Sequence, residues 1–545
     1  MNKRVVLLMF VLAILAGCST ARFKAQADKE VYEIIRHKQE VALGIERPFS
    51  IDQEKDDPLV ALPLRQTEIL GDIASEEAVL LSLPQALEIA SKNNRDYQAR
   101  KEDVYLKALD LTLARHQWGP IFTGKASTAY TKKSEDETVG GGTEFGFTKV
   151  FADGTKLGAK LSTNLLMHLV RSPREAASSL ISATLTKPLW RGAGKRIAQE
   201  NLLQSERDVV YTIRSFAQYH RSFAVSVASS YYRALQGRDS VLNSWNNYQN
   251  LILARKRSEM MAEAGRLPEF HVDQATQDEL RAKDNYVRAV QSYKQSIDEF
   301  KLKLGLPTDA AVALDPAELT ALRDRGILHP ELNADKAVNV ALAARLDLLN
   351  VRDQMDDAGR KVDVAKNGLA PGVNLVLASS VPSEENKPGI FVTREGTYSA
   401  GIDMDLPIDR YSERNTYRRT LISLDRAVRS ASLFEDQVKL DVREAWRKLQ
   451  EARDSYEIQR ISLQLAQRRV QSTTLLLEAG RADTRDLLEA HDSLLQAQNA
   501  VTRALIDHTI ARLEFWRNIG ILEVNENGLW QENYERFFEQ GGDEQ

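Results

Sequence analysis

Between residues 408 and 522 the chain has no proline, and its only glycines are Gly480 and Gly520. These two residue types are the least tolerated inside a helix, by about 3 and about 1 kcal/mol relative to alanine. Their scarcity predicts two long helices meeting at Gly480, of about 65 and about 37 residues, the longer reaching about 100 Å. Cysteine is nearly missing as well. Cys18 is the only one in 545 residues, which excludes internal disulfides and cysteine-built metal sites. Neither sign of charge dominates: 73 Lys and Arg face 77 Asp and Glu, so nothing points to nucleic acid as a partner. The eight histidines are scattered without metal-ligand spacing. Gly192-Ala193-Gly194-Lys195 glances at a phosphate-binding loop, but Leu189 stands where the first glycine belongs and Arg196 where Ser or Thr belongs. No catalytic residue or cofactor is expected. Past residue 18 no apolar run is long enough for a transmembrane helix, so a membrane crossing would need a closed β-barrel.

What is present is a repeat. Ala490, Ala497, Ala504 and Ala511 recur at seven-residue spacing beside Leu487, Leu494, Val501, His508 and Phe515. Small residues in a heptad let a neighbouring helix approach closely. The same pattern stands 215 residues earlier (480 − 265): Ala264-Gly265-Arg266 matches Ala479-Gly480-Arg481, and Ala275, Ala282, Ala289 and Ser296 match the stripe. Upstream, Ala86, Ala90, Asp96, Ala114 and Pro120 face Ala337, Ala341, Asp347, Ala365 and Pro371, at an offset of 251 (337 − 86). The chain is a tandem duplication with loops of unequal length.

In order, residues 1–17 read as a lipoprotein signal peptide. Lys3 and Arg4 precede a short apolar core, and Leu15-Ala16-Gly17-Cys18 resembles the bacterial lipobox, with Cys18 lipidated and made the mature N-terminus. Ser19, in place of Asp, implies sorting to the outer membrane. Residues 18–80 read as an extended arm with one short helix at 31–43. The first repeat spans 81–305, a proline-dotted linker 306–331, the second repeat 332–522 and an acidic tail 523–545. Helical periodicity over 83–117 stops at Pro120, as it does at Pro371 in the second half. Alternation replaces it in Phe145-Gly146-Phe147-Thr148-Lys149-Val150-Phe151 and, past a turn at Gly154, in Leu157, Ala159 and Leu161. Residues 121–130, 180–189, 373–380 and 398–406 are further strand candidates, near the length that a tilted outer-membrane strand needs.

Each half therefore reads helix, strands, long helix, Gly turn, helix. That order resembles the TolC-type outer membrane factor family, the exit ducts of efflux pumps and type I secretion systems. The likeness covers residues 81–522. It rests on Leu81-Ser82-Leu83-Pro84-Gln85-Ala86-Leu87, the junction prolines and the two Ala-Gly-Arg turns, the second within Leu477-Glu478-Ala479-Gly480-Arg481. The resemblance implies a mainly α chain with a membrane β-barrel. Duplicated long α-helical hairpins form a periplasmic barrel, and strands from three protomers close one transmembrane β-barrel.

It further implies a homotrimer in outer membrane lipid, a periplasmic adaptor, an inner-membrane transporter, and a passive channel opened by the adaptor. Ala264, Gly265, Arg266, Ala479, Gly480 and Arg481 would then be the adaptor-contacting turns. Family members often close the duct with acidic rings before the second turn. Here that stretch is Arg468-Arg469-Val470-Gln471-Ser472-Thr473-Thr474, without Asp or Glu, leaving Arg468 and Gln471 as candidate constriction residues. Four strands per protomer would give twelve, and the hairpin around Gly154 is surplus: it either enlarges the barrel or projects from it. The rival expectation is a non-conducting coiled-coil lipoprotein scaffold, which does not need two matched strand blocks.

Overall fold

The computed structural model describes residues 20–52, 79–133, 136–168, 175–330, 332–406, 408–525 and 530–531. The signal segment with Cys18, most of residues 44–80 and the end of the tail lie outside the described residues. Among the described residues the helices longer than four residues are, in chain order, α1 (Thr20–Leu43), α2 (Leu83–Asn93), α3 (Arg95–His116), α4 (Glu200–Glu263), α5 (Glu269–Leu304), α6 (Pro316–Arg325), α7 (Ala334–Ala344), α8 (Leu346–Gly368), α9 (Tyr411–Glu478) and α10 (Thr484–Ile519). The strands of three or more residues are β1 (Val79–Leu81), β2 (Ile121–Lys133), β3 (Asp136–Val150), β4 (Lys156–His168), β5 (Glu175–Pro188), β6 (Val312–Leu314), β7 (Gly372–Glu384), β8 (Lys387–Phe391) and β9 (Thr397–Asp405). At 68 and 36 residues, α9 and α10 match the lengths expected from the missing breakers. Among the described residues no helix is long and apolar enough to cross a membrane.

Two compact units are built from interleaved segments. One comprises Met1–Phe49, Asp103–Arg214 and Asn350–Leu433; the other comprises Ser50–Glu102, Ser215–Leu349 and Phe434–Gln545. The first holds the β2–β9 sheet. It also holds α1, which differs from the expected arm: the helix starts eleven residues before the expected 31 and runs unbroken to Leu43. The reason is an amphipathic face. Val31, Ile34, Ile35 and Ala42 are buried, and Tyr105 on α3 donates to Asp28 Oδ1 at 2.6 Å while stacking edge-on against Tyr32.

The second unit contains one continuous core drawn from both repeats. Tyr231, Phe300 and Phe515 are its largest fully buried side chains, and the Tyr231 hydroxyl donates to the Leu81 carbonyl at 3.0 Å. The matched alanines Ala86, Ala90, Ala337 and Ala341 are all completely buried, so the duplication seen in sequence is a duplication of helix seats. Ala275, Ala282, Ala490, Ala497 and Ala504 are buried along α5 and α10, and Ala282 meets Leu488, Leu251 and Ala254. The interval 306–331 is more than a linker. It contributes β6, paired in parallel with β1, and α6, whose Arg323 bonds Asp239 and Thr502 at 2.7 Å each.

The single helical stretch expected over 83–117 is instead two helices. Asn94 is extended, its Oδ1 accepts from the Tyr97 amide at 2.9 Å, and its Nδ2 donates to the Lys303 carbonyl. Arg345, likewise extended, breaks α7 from α8, with its guanidinium donating to Asp347 and Asp441. The two breaks receive the two C-terminal glycines of the repeats. Gly305 (φ +76°) and Gly520 (φ +86°) cap α5 and α10 in the left-handed region. A Cβ on Gly305 would sit 2.3 Å from the Asn93 carbonyl oxygen, and one on Gly520 would sit 3.2 Å from Ala344. Gly265 (φ +70°) and Gly480 (φ +67°) share that conformation but have open space around them.

Gly265→Ala should cost only the left-handed penalty of about 1 kcal/mol. Gly305→Ala adds a backbone collision and should lower the thermal unfolding midpoint in detergent by clearly more; equal shifts would refute the packing argument. His508 is a heptad position 1% exposed, packed beside His329, which in turn meets Trp446. Burial, then the neighbouring His329, Arg512 and Arg453, push its pKa down to about 4 from the ordinary 6.5. Below pH 6.5 the unfolded chain takes up a proton that the folded chain refuses, so stability should fall as pH drops toward 4, by at most about 3 kcal/mol. His508→Leu should flatten the unfolding midpoint against pH across that window.

Candidate functional site: a two-faced sheet and two helix turns

The sheet order is β2-β3-β4-β5-β7, with β9 and the short β8 both pairing β7 on its far side, and every pairing is antiparallel. Six strands are long. The Gly154 hairpin is therefore not an appendage: β3 and β4 lie inside the sheet between β2 and β5, so the sheet itself is enlarged. Its turn is seated on the loop before α4. Gly194 donates to the Asp153 carbonyl at 3.2 Å, and a Cβ on Gly154 (φ +92°) would meet the Gly192 carbonyl oxygen at 2.8 Å.

Register sorts the side chains, because directly paired residues share a face. One row runs Phe122, Phe147, Ala159, Ala183, Ser379, Tyr398; the next on that face runs Gly124, Phe145, Leu161, Ile181, Val381. Leu157, Leu185, Leu377 and Ala400 continue it on the other side, and Ile402 and Met404 extend it along β9. This apolar face is exposed: Phe122 is 75% and Ile402 64% accessible. Its charged members pair or sit at the margins, and two of its hydroxyls bond each other. Thr163 bonds Ser179 at 2.8 Å, Lys132 pairs with Glu137 at 2.7 Å at one end, and Lys149 and Lys187 mark the other. Phe122 and Tyr130 are eight residues apart on β2, about 26 Å along the strand. Tilted by about 35–45°, as barrel strands are, this span covers about 20 Å of depth, most of the roughly 25 Å apolar band, edged by aromatics, of outer-membrane barrels.

The opposite face is polar and small. It carries Thr123, Gly146, Lys160, Ser182, Ser380 and Thr397 in one row and Lys125, Glu144 and Ser162 in the next. Lys160 and Glu144 pair at 3.0 Å. An exposed apolar face of this extent marks a surface that another phase or molecule covers.

In the same unit an ion network absent from the sequence reading joins the repeats. Asp357 on α8 is 3% exposed and accepts from Tyr211, Arg360 and Gln204. Arg207 contacts both Asp357 and Asp353, and Arg214 reaches Asp353 at 2.6 Å. Burial alone would raise the Asp357 pKa; hydrogen bonds from Tyr211, Arg360 and Gln204, with the charge of Arg207, outweigh it and hold the carboxylate below its usual range. Burial and the Asp357 carboxylate in turn raise the Tyr211 phenol. Spacing does not reveal this cluster, because its members lie about 150 residues apart in different repeats, as the Tyr211–Asp357 separation of 146 shows.

The second unit carries both Ala-Gly-Arg turns, built alike. Gly265 donates to the Ala262 carbonyl and Arg266 to that of Met261; Gly480 donates to Leu477 and Arg481 to Leu476. The pair of bonds is a Schellman closure, which satisfies the last helix carbonyls. Ala264, Gly265, Arg266, Ala479, Gly480 and Arg481 are all exposed, and Arg257 and Glu478, just before the two turns, pair at 3.4 Å. Arg468 and Gln471 are exposed on α9, while the adjacent Arg469 pairs with Glu489 on α10 at 2.8 Å.

Comparison with known proteins agrees with this architecture. Residues 337–517 match the model of the outer membrane efflux protein family. Outer membrane efflux protein BepC of Brucella suis is 24% identical over 209 residues, covering 38% of this chain and 45% of that protein. Alkaline protease secretion protein AprF of Pseudomonas aeruginosa is 22% identical over 334 residues, 57% of this chain and 68% of that protein. The match thus spans less than half of the first relative's length and about two thirds of the second's. Among solved structures, the Campylobacter jejuni CmeC outer membrane channel superposes with a TM-score of 0.60 at 14% identity, covering 91% of this chain and 97% of that one. Most of the second repeat thus matches the outer membrane efflux protein family, and nearly the whole length shares the fold of a solved outer membrane channel.

Proposed function

We propose that the chain is a lipid-anchored, trimeric outer membrane exit duct, the passive outer component of a tripartite efflux pump or a type I secretion system. The observation that carries the reading is the sheet with one apolar exposed face, one polar face and two unpaired edges. In hydrocarbon an open edge leaves backbone groups unsatisfied, at several kcal/mol each, so such a sheet must close with further copies. The resemblance supplies the copy number, three. The names of BepC and AprF, one an efflux protein and the other a secretion protein, support export by either route. Energy would come from an inner-membrane transporter. A periplasmic adaptor would engage the exposed turns around Gly265 and Gly480, with Arg266 and Arg481 offering charge-assisted hydrogen bonds. Arg468 and Gln471 remain the proposed constriction. The scaffold reading lacks a use for a wall with an apolar and a polar side.

Purified protein in planar bilayers, with its adaptor, should conduct ions in discrete steps; absence of any pore under those conditions would overturn the duct. For the anchor, Cys18→Ala should abolish labelling by radioactive palmitate and leave the precursor unprocessed. Undiminished labelling would remove Cys18 from the proposal.

A further inference from the structure

The sheet contributes six full-length strands, and its two edges are offset in a way that bears on how copies meet. Ile121, the first residue of β2, lies in the same row as Ser399; β9 then runs six residues further, to Asp405. β2 leaves α3 and β9 returns to α9, so β9 of one copy and β2 of the next are antiparallel. Setting Ile121 opposite the neighbour's Asp405 advances the register by six residues for every six strands. That is about 20 Å along the strands for about 29 Å across them, a tilt of about 35°. Closed barrels need about 35–45°. The shift is even, so faces are preserved: Phe122 meets Met404 and Gly124 meets Ile402 on the apolar side, and Thr123 meets Asp403 on the polar side.

We propose that β2 of each copy pairs with β9 of the next in this register, and that the ring is a barrel of eighteen strands, three copies of six. The inference rests on the trimeric duct proposed above and adds that the Gly154 hairpin is structural wall. Barrel diameter grows roughly linearly with strand number, so the bore is about one and a half times that of a twelve-stranded ring. Its lining sets Lys125, Lys156 and Lys160 against Glu144, Asp403 and Asp405 among Thr, Ser and Gly, which selects weakly by charge. The wall therefore fits bulky polar cargo of either sign, too wide for twelve strands.

Electron microscopy of the full-length protein in nanodiscs, averaged about its axis, should count eighteen strands. The double variant T123C with D403C should give covalent trimers on non-reducing gels, each single variant none; the native chain has no cysteine other than Cys18. A trimeric ring of twelve strands with the β3–β4 hairpin outside the wall would overturn this inference and leave the trimeric duct standing, whereas a closed ring of two copies would overturn both this inference and the copy number of the duct. Absence of any ring, together with absence of conductance, would overturn the duct itself.

Discussion

Every backbone amide and carbonyl of a strand needs a partner, and a bilayer core supplies none. The rest of the β2–β9 unit follows from that constraint. Strands of 13–15 residues in the first block exceed the 8–10 that alternation alone suggests, because a ladder continues as long as its neighbour does. The apolar face can be left bare only if lipid covers it, and the polar face only if water does. The two free edges, on β2 and β9, are then no liability but the places where copies join.

Duplication lets each repeat solve the same mechanical problem with the same device. Both long helices end in a left-handed glycine closed by two matched backbone bonds, and both return helices end in a glycine pressed against the break between two short helices. The repeats are not independent, however. One core takes Ala86 and Ala90 from the first and Ala337 and Ala341 from the second. The Asp357 cluster likewise takes its arginines from α4 and α8. Removing one partner from such a cluster strands a buried charge, so both repeats must remain in step.

The helical frame was legible because its signals are local. Breakers are absent from α9, a seven-residue alanine stripe marks α10, and each repeat carries one Ala-Gly-Arg turn. Prolines 120 and 371 announced the change to strand. The sheet was less legible for physical reasons. Val139-Gly140-Gly141-Gly142 has little strand propensity of its own, yet it lies mid-sheet with β2 and β4 on either side. The Gly154 hairpin, which the alternation alone leaves either in the wall or projecting from it, supplies two of the six long strands. The breaks at Asn94 and Arg345 depend on what packs against them, not on composition, and α1 announces itself only through the face it buries. Arg468 and Gln471 show the remaining limit: which side of a long helix looks into a lumen is decided by neighbouring copies, which one chain does not contain.

The ladder between β5 and β7 joins the halves of the chain, with Leu180 opposite Pro382 and Pro188 opposite Asn374. Its partners are roughly 190 residues apart, a separation that makes such pairings late and slow to form. A nascent chain that has delivered only its first repeat holds four strands and an unmatched β5 border, with bare oily side chains already on show. Such a molecule is prone to stick to its own kind, and the hazard ends only when the second repeat reaches the periplasm. Delivery of β7 therefore decides when the first four strands stop being an aggregation hazard.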